Sequence, residues 1–142
     1  MLYFAYGSNM NLSQMKDRCP YAIFLKRGFI KEYKFVYDGS STRGGAVGNI
    51  IPSENSRVWG ATFEITKECL LRLDDCEGYP KAYDRQEIEV WDDIGERCKA
   101  IAYLRDGRTI AKPSKEYEGV ILQGAKDCDL PEDYVKEFLK AY

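Results

Sequence analysis

The 142-residue sequence contains no histidine. This absence excludes Ser-His-Asp and Cys-His catalytic arrangements, and it excludes every metal site with imidazole ligands. Proton transfer near neutral pH would then have to use a carboxylate, a lysine, a tyrosine or a cysteine. The sequence therefore restricts acid–base chemistry to a short set of groups, and their surroundings must tune their pKa values.

Paired cysteine motifs are also missing. The five cysteines are Cys19, Cys69, Cys76, Cys98 and Cys128, and no two of them have C-x-x-C spacing. An odd number without such spacing predicts neither a disulfide framework nor a zinc ribbon. We expect reduced thiols and no metal.

Long apolar runs and a strong net charge are the next absences. No segment approaches the ~18 apolar residues of a membrane span, and the N-terminus lacks the basic region of a signal peptide. Lys and Arg number 21 against 23 Asp and Glu, a formal net charge of −2. This balance disfavours nucleic acid and anionic membranes as partners. We expect a soluble, cytoplasmic protein.

The pattern of apolar residues predicts an α+β fold in one domain, residues 1–142. Alternating or β-branched segments predict strands at Leu2–Tyr6, Ala22–Arg27, Tyr33–Tyr37, Val58–Ile65, Tyr83–Trp91 and Lys99–Leu104. Helices are predicted after Asn9 or Asn11, after Thr66, after Ser114 and from Pro131. Because strands and helices do not alternate regularly, we expect a mostly antiparallel, barrel-like sheet flanked by helices.

The segment Tyr6-Gly7-Ser8-Asn9 lies where the first strand passes into the first helix. Backbone N–H groups at a helix start lack partners and suit a carboxylate or an oxyanion. Glycine lets a ligand approach the backbone, and Ser and Asn add further donors. The same residues also fit an ordinary turn with a helix cap.

The segment Leu73-Asp74-Asp75-Cys76-Glu77-Gly78 places three carboxylates at a predicted helix end. Acidic groups there oppose the helix dipole by ~0.3–1 kcal/mol, which favours a task for one of them elsewhere. Glu77, beside Gly78, is the best placed to turn into a pocket. The alternative is a solvated acidic turn.

The glycine-rich segment 44–48 lacks the Lys-Ser/Thr of a Walker motif, so we interpret it as a flexible loop. The wider stretch Asp38–Gly48 is a candidate lid that contacts the substrate. The cysteines have no histidine to activate them, which makes thiol catalysis a remote alternative.

Six short segments together resemble the γ-glutamylcyclotransferase family (AIG2-like). They are Tyr3-Phe4-Ala5-Tyr6-Gly7-Ser8-Asn9-Met10, Val58-Trp59-Gly60-Ala61, Leu73-Asp74-x-x-Glu77-Gly78, Pro113-Ser114-x-x-Tyr117, Gly124-Ala125-Lys126 and Leu130-Pro131-x-x-Tyr134. Each segment alone is weak, but the set occurs in family order over nearly the whole chain.

The resemblance implies a small barrel-like α+β enzyme without a cofactor, either a monomer or a homodimer. It implies release of 5-oxoproline from a γ-glutamyl compound, with Glu77 as the general acid/base. The loop Tyr6–Asn9, with Met10 following, would bind the γ-glutamyl group. Tyr103 and Tyr117 match tyrosines that line the family's pocket, and Tyr83 matches another less closely.

This chemistry is compatible with a chain that lacks histidine, because the substrate's own α-amine is the nucleophile. We expect the N–H groups of Gly7 and Ser8 to stabilise the oxyanion, with Asn9 and Tyr117 holding the α-carboxylate or the α-amine. Two alternatives remain open. One is a cyclotransferase specialised for a γ-glutamylated amine or natural product, for which Asp74 and Asp75 could favour a cationic leaving group. The other is a metabolite-binding protein without turnover.

Overall fold

Five strands close into a barrel in the computed structural model, which describes residues 1–40 and 44–142. The strands are β1 (Leu2–Ala5), β2 (Ile23–Asp38), β3 (Val47–Glu64), β4 (Asp84–Trp91) and β5 (Arg97–Leu104). They neighbour one another in the order β1-β3-β2-β4-β5. All pairs are antiparallel except β1 with β5, which run parallel through Tyr3 and Ile101. The predicted α+β class and barrel-like sheet are confirmed.

The helices flank this barrel. They are α1 (Leu12–Arg18), α2 (Lys67–Glu77), α3 (Lys115–Asp127) and α4 (Glu132–Tyr134), which continues into a π-helical turn, Val135–Leu139. A 3₁₀ turn, Ser8–Met10, precedes α1.

Side-chain caps fix where these helices begin. Asn11 rather than Asn9 caps α1, since its side chain accepts a hydrogen bond from the Gln14 N–H at 3.1 Å. Thr66 and Ser114 cap α2 and α3 in the same way, as predicted. None of the helices in the described part of the chain is long and apolar enough to cross a membrane.

The second strand differs from the prediction. The two strands expected at Ala22–Arg27 and Tyr33–Tyr37 form the single strand β2, with register shifts at Phe24/Lys26 and Lys31/Tyr33. Gly28 is therefore not a break. It lies where β4 approaches, and a Cβ on it would meet the Trp91 carbonyl oxygen at 2.8 Å.

The long partner strand β3 corrects the expected glycine-rich loop. β3 begins at Val47 rather than Val58, so Val47 and Gly48 belong to a strand rather than to a loop. Residues 41–43 of the candidate lid lie outside the described residues.

The cysteine prediction is wrong at two positions. Cys19, which follows α1, forms a disulfide with Cys69 in α2, across a sequence separation of 50 residues. Cys76, Cys98 and Cys128 are free thiols. Sequence spacing gave no sign of the pair because its partners lie on different helices.

The segments that carry the sequence motifs meet at one end of the barrel. The last residues of β1, β2 and β5 and the first residues of β3 and β4 meet there, as the strand directions require. Fully buried side chains from these strands, such as Phe4, Val58 and Phe63, fill the core.

Packing explains the glycine at two positions of the six segments that carry the family resemblance. A Cβ on Gly60 would meet the carbonyl oxygen of Ala5 and the Phe4 ring, where β3 passes β1. A Cβ on Gly124 would lie 2.6 Å from the carbonyl carbon of Met10, where α3 packs on the 3₁₀ turn. Both glycines therefore allow close packing of backbones.

We predict that Gly124→Ala lowers the free energy of unfolding by about 1–3 kcal/mol, because the methyl group would press on backbone atoms. Gly119 in the same helix has open space around it and is the matched control. Gly119→Ala should instead stabilise by about 0.5–1 kcal/mol through helix propensity. Urea unfolding of both variants measures the difference, and equal effects would contradict the packing explanation.

Candidate active site

A cavity of about 560 Å³ lies at the end of the barrel where the motif segments meet. Among its lining residues are nearly all of those predicted from the sequence: Tyr6, Gly7, Ser8, Asn9, Glu77, Tyr83, Tyr103 and Tyr117. The flanks of the candidate lid, including Ser40 and Gly48, also line it. The structure thus brings the separate motifs into one site.

Glu77 is the last residue of α2 and is only partly exposed. Gly78 ends the helix in a left-handed conformation, φ 68° and ψ 33°, and the Tyr79 N–H closes the last turn on the Asp74 carbonyl at 2.9 Å. No described residue donates a hydrogen bond to the Glu77 carboxylate. Burial raises the pKa of Glu77 above its ordinary value, and the positive charge of Arg18 partly offsets this.

Asp74 anchors the helix that carries Glu77. Its Oδ1 accepts a hydrogen bond from the Tyr103 hydroxyl at 2.6 Å, and its Oδ2 pairs with the Arg85 guanidinium. Asp74 and Glu77 are three residues apart in α2, so fixing the first carboxylate fixes the turn that holds the second. Asp75, by contrast, is exposed at the cavity wall.

The four predicted tyrosines differ in what their hydroxyl groups do. The Tyr6 hydroxyl donates to the Tyr103 carbonyl at 2.6 Å, Tyr83 donates to the Gly48 carbonyl at 2.7 Å, and Tyr103 donates to Asp74. The Tyr117 hydroxyl instead accepts the Gly48 N–H at 3.0 Å. Among the described residues, Tyr117 alone of the four keeps its own proton for a ligand.

These tyrosines are neutral donors rather than bases. Burial raises the pKa of Tyr6 and of Tyr83 well above the ordinary value. Burial also raises the pKa of Tyr117, although the hydrogen bond from Gly48 partly opposes it. Each hydroxyl therefore stays protonated near neutral pH.

The side-chain carbonyl of Asn9 is hydrogen-bonded to other residues of the protein and is therefore not open to a ligand. It is buried, its Oδ1 accepts from Gln14 at 3.0 Å and from Arg18 at 2.9 Å, and its Nδ2 donates to the Tyr3 hydroxyl. These bonds hold the loop in shape. Asn9 also lines the cavity, and the Tyr3 contact uses one of its two Nδ2 protons, so direct binding of the substrate by this side chain stays a prediction.

Gly7 and Ser8 leave donors open to the cavity. A Cβ on Gly7 would meet nothing within 4 Å, so a ligand can approach the backbone there. The N–H groups at the start of the 3₁₀ turn have no partner within the turn. The Ser8 hydroxyl oxygen accepts from Gln14 at 2.8 Å, which leaves its own proton available.

Met10 does not belong to this site. Its side chain is fully buried in the core, and it is absent from the cavity wall. The third residue of the 3₁₀ turn points inward, where its carbonyl accepts from the Cys128 thiol. Met10 therefore supports the loop from beneath, and its expected contact with substrate is corrected.

Several cavity residues were missed by sequence reasoning. Gln14 and Arg18 on α1 hold the loop, and Arg105 pairs with the buried Asp38 at 2.8 Å beside the Tyr83 ring. Asp38 and Arg105 are 67 residues apart, so no local pattern could reveal the pair. Within residues 1–40 and 44–142 no group of three or more Cys, Asp or Glu side chains is arranged to hold a metal ion.

Comparison with known proteins adds relatives to this geometry. Residues 57–138 match the model of the AIG2-like family. The chain is 33% identical to the human γ-glutamylcyclotransferase and 31% identical to the cattle protein of the same name. These alignments cover 99% and 96% of this chain and 77% and 76% of the relatives. A solved structure described as a γ-glutamyl cyclotransferase superimposes with a TM-score of 0.92 at 31% identity, covering 99% of this chain and 86% of that one.

We predict that Asp74→Asn destabilises the protein by about 1.5–3 kcal/mol, since it weakens two charge-assisted hydrogen bonds in a partly buried position. Asp75→Asn is the matched control and should change stability by no more than about 0.5 kcal/mol. Thermal and urea unfolding measure both. Equal stability of the two variants would show that Asp74 is not an anchor.

Proposed function

We propose a mechanism from the premise that this chain belongs to the γ-glutamylcyclotransferase family and is an enzyme with that activity. In the proposal, Glu77 carries the proton and the loop Tyr6–Asn9 binds the γ-glutamyl group. One observation carries this assignment. The Glu77 carboxylate, partly buried and without a hydrogen bond from the described residues, lines the same cavity as the open donors of Gly7 and Ser8.

The reaction needs no nucleophile from the enzyme. The substrate α-amine attacks the γ-carbonyl carbon, and the new C–N bond closes the five-membered ring of 5-oxoproline. The amide bond to the leaving amine then breaks. Holding the γ-glutamyl group in a curled conformation can supply much of the rate, because aligned intramolecular attack reaches effective molarities of ~10⁵ M or more.

Glu77 balances the protons of this exchange. Its carboxylate accepts a proton from the α-ammonium group, which frees the amine for attack. That proton passes to the leaving nitrogen, so the leaving group departs as an amine. The ring nitrogen still bears a second proton of the former ammonium group, and it gives this proton to the Glu77 carboxylate. Glu77 then releases it to the departed amine and returns to its carboxylate form. Burial supports both steps, because the raised pKa brings the two protonation states of Glu77 closer in energy near neutral pH.

Donors around the loop complete the site. The N–H groups of Gly7 and Ser8 would stabilise the oxyanion that develops at the γ-carbon. The free proton of the Tyr117 hydroxyl would hold the α-carboxylate. Asn9 acts from behind the loop, since its side chain is committed to Tyr3, Gln14 and Arg18.

The geometry weakens one argument about the leaving group. Asp74 is occupied by Arg85 and Tyr103, so it is not free to attract a cationic leaving group. Asp75 remains at the cavity wall, and Arg108 lines another part of it. A γ-glutamyl amino acid and a γ-glutamyl amine therefore both remain candidate substrates.

We predict that Glu77→Gln lowers kcat for 5-oxoproline release by about 10²–10⁴-fold, since the amide cannot exchange the proton. Substrate binding should persist, because the loop donors remain. The assay follows 5-oxoproline released from a panel of γ-glutamyl amino acids, γ-glutamyl amines and glutathione. Isothermal titration with the best substrate of the panel measures binding by the variant.

Asp75→Asn is the control, since this carboxylate neighbours Glu77 but is exposed. It should retain most of the activity. Normal turnover by Glu77→Gln would refute the proton-carrier role. A folded wild-type protein that binds glutamate-like ligands without releasing 5-oxoproline from any compound would instead favour the binding-protein alternative.

Tyr117→Phe tests the free hydroxyl. Loss of a hydrogen bond to a charged group predicts a fall in kcat/KM of about 10–100-fold, mostly through KM. Tyr33→Phe is the matched control, because Tyr33 does not line this cavity. Unfolding curves of both variants are needed, since Gly48 also loses its acceptor. An unchanged kcat/KM in Tyr117→Phe would remove Tyr117 from the binding site.

A further inference from the structure

Arg18 is a cavity residue that holds Asn9 but whose positive charge has no role in the mechanism above. It is the last residue of α1, is partly exposed and lines the same cavity as Glu77. Its Nη1 donates to the Asn9 Oδ1 at 2.9 Å. Its guanidinium forms no ion pair with a carboxylate of residues 1–40 or 44–142. Arginine carries five N–H donors, so most of them are not used by these contacts.

The position of Arg18 is tied to the helix that carries Glu77. The next residue, Cys19, is bonded to Cys69 in α2, which ends at Glu77. On the other side, Asn9 and the cap residue Asn11 fix α1 against the loop. The charge of Arg18 is thus held at a set place relative to both the loop and the carboxylate.

The groups that face Glu77 from other elements are mainly neutral. Among the tyrosines that line the cavity with Glu77, Tyr3 lies on β1, Tyr6 directly after it, Tyr83 directly before β4 and Tyr117 on α3. Burial raises the pKa of each of these tyrosines, so they carry no charge near neutral pH.

On its own helix Glu77 neighbours the carboxylate of Asp75 and the free thiol of Cys76. Three further charged side chains line the cavity: Arg105, Arg108 and Glu116. Of these, Arg105 is already paired with Asp38. The positive charge of Arg18 lowers the pKa of Glu77, which burial raises.

We propose that Arg18 is a positioning residue with two tasks. It acts as the counter-charge of Glu77, and it holds Asn9 of the loop Tyr6–Asn9 by a hydrogen bond. The first part rests on the proposed function of Glu77. A proton acceptor must be ionised when the α-ammonium arrives, and a partly buried carboxylate without a cation nearby loses that form. After the proton transfer, the same positive charge favours release of the proton to the leaving nitrogen.

The test compares pH profiles of kcat/KM in three variants. Arg18→Met removes the charge and the hydrogen bond, and Arg18→Lys keeps the charge. Gln14→Met removes the other donor to the Asn9 Oδ1 without changing a charge. We expect Arg18→Met to lose about tenfold more kcat/KM at pH 6 than at pH 8, because an acidic pKa that rises moves the acid limb of the profile upward.

The controls separate charge from loop support. Arg18→Lys should restore the shape of the pH profile, although its single ammonium holds Asn9 less well. Gln14→Met should lower kcat/KM by a similar factor at all pH values. If Arg18→Met and Gln14→Met have the same profile shape, Arg18 is a loop clamp only and the counter-charge is refuted.

A direct titration distinguishes this inference from the mechanism on which it rests. Carbon NMR of protein labelled at the glutamate δ-carbon, with Glu77→Gln to assign the signal, follows the ionisation of Glu77 without any turnover. The midpoint should move upward in Arg18→Met, and in Arg18→Gln if the methionine variant does not fold. An unmoved midpoint overturns the inference. A moved midpoint together with full activity of Glu77→Gln overturns the proposed function alone.

Discussion

The parallel pairing of β1 with β5 is the contact that places the cavity. β1 lies between β3 and β5, so closing the barrel brings the end of β1 beside the end of β5. The antiparallel pairing of β2 with β3 and of β5 with β4 then supplies the first residues of β3 and β4 at the same end. Because the loop Tyr6–Asn9 follows β1 directly, it forms one wall of the cavity. The end of α2, with Glu77, forms another.

The polar groups of the site divide into those that hold and those that are free. The first group forms hydrogen bonds or ion pairs with other residues of the protein and consists of Asp74, Asn9 and Tyr103. Glu77 and Tyr117 keep a carboxylate and a hydroxyl proton without such commitments among the described residues. A chain without histidine depends on this division, since a carboxylate needs burial to titrate near neutral pH and needs fixed neighbours to stay buried. The holding residues thus make the free ones usable.

The sequence predicted the features that depend on local patterns. The caps Thr66 and Ser114, the helix end at Glu77–Gly78 and the barrel-like sheet all follow from residues close together in the chain. The motif also identified Glu77 as the carboxylate that turns into a cavity.

The features that were missed depend on contacts between distant residues. Gly28 is required by a crossing strand, and Cys19 meets Cys69 only after two helices pack. The Asn9 Oδ1 accepts hydrogen bonds from Gln14 and Arg18. No sequence motif specifies where these two side chains lie, so the sequence could not show that this oxygen is already bonded.

The backbone of Gly48 limits which substitutions this enzyme can tolerate. Its carbonyl accepts from Tyr83 and its N–H donates to Tyr117, and a Cβ there would meet the Phe35 ring at 2.9 Å. A side chain at this position would disturb two cavity tyrosines together, so we expect single substitutions here to be poorly tolerated. Exposed residues of the cavity wall, such as Asp75 and Arg108, can change without disturbing these contacts. The cavity wall thus joins a part that tolerates little change to a part that is free to vary.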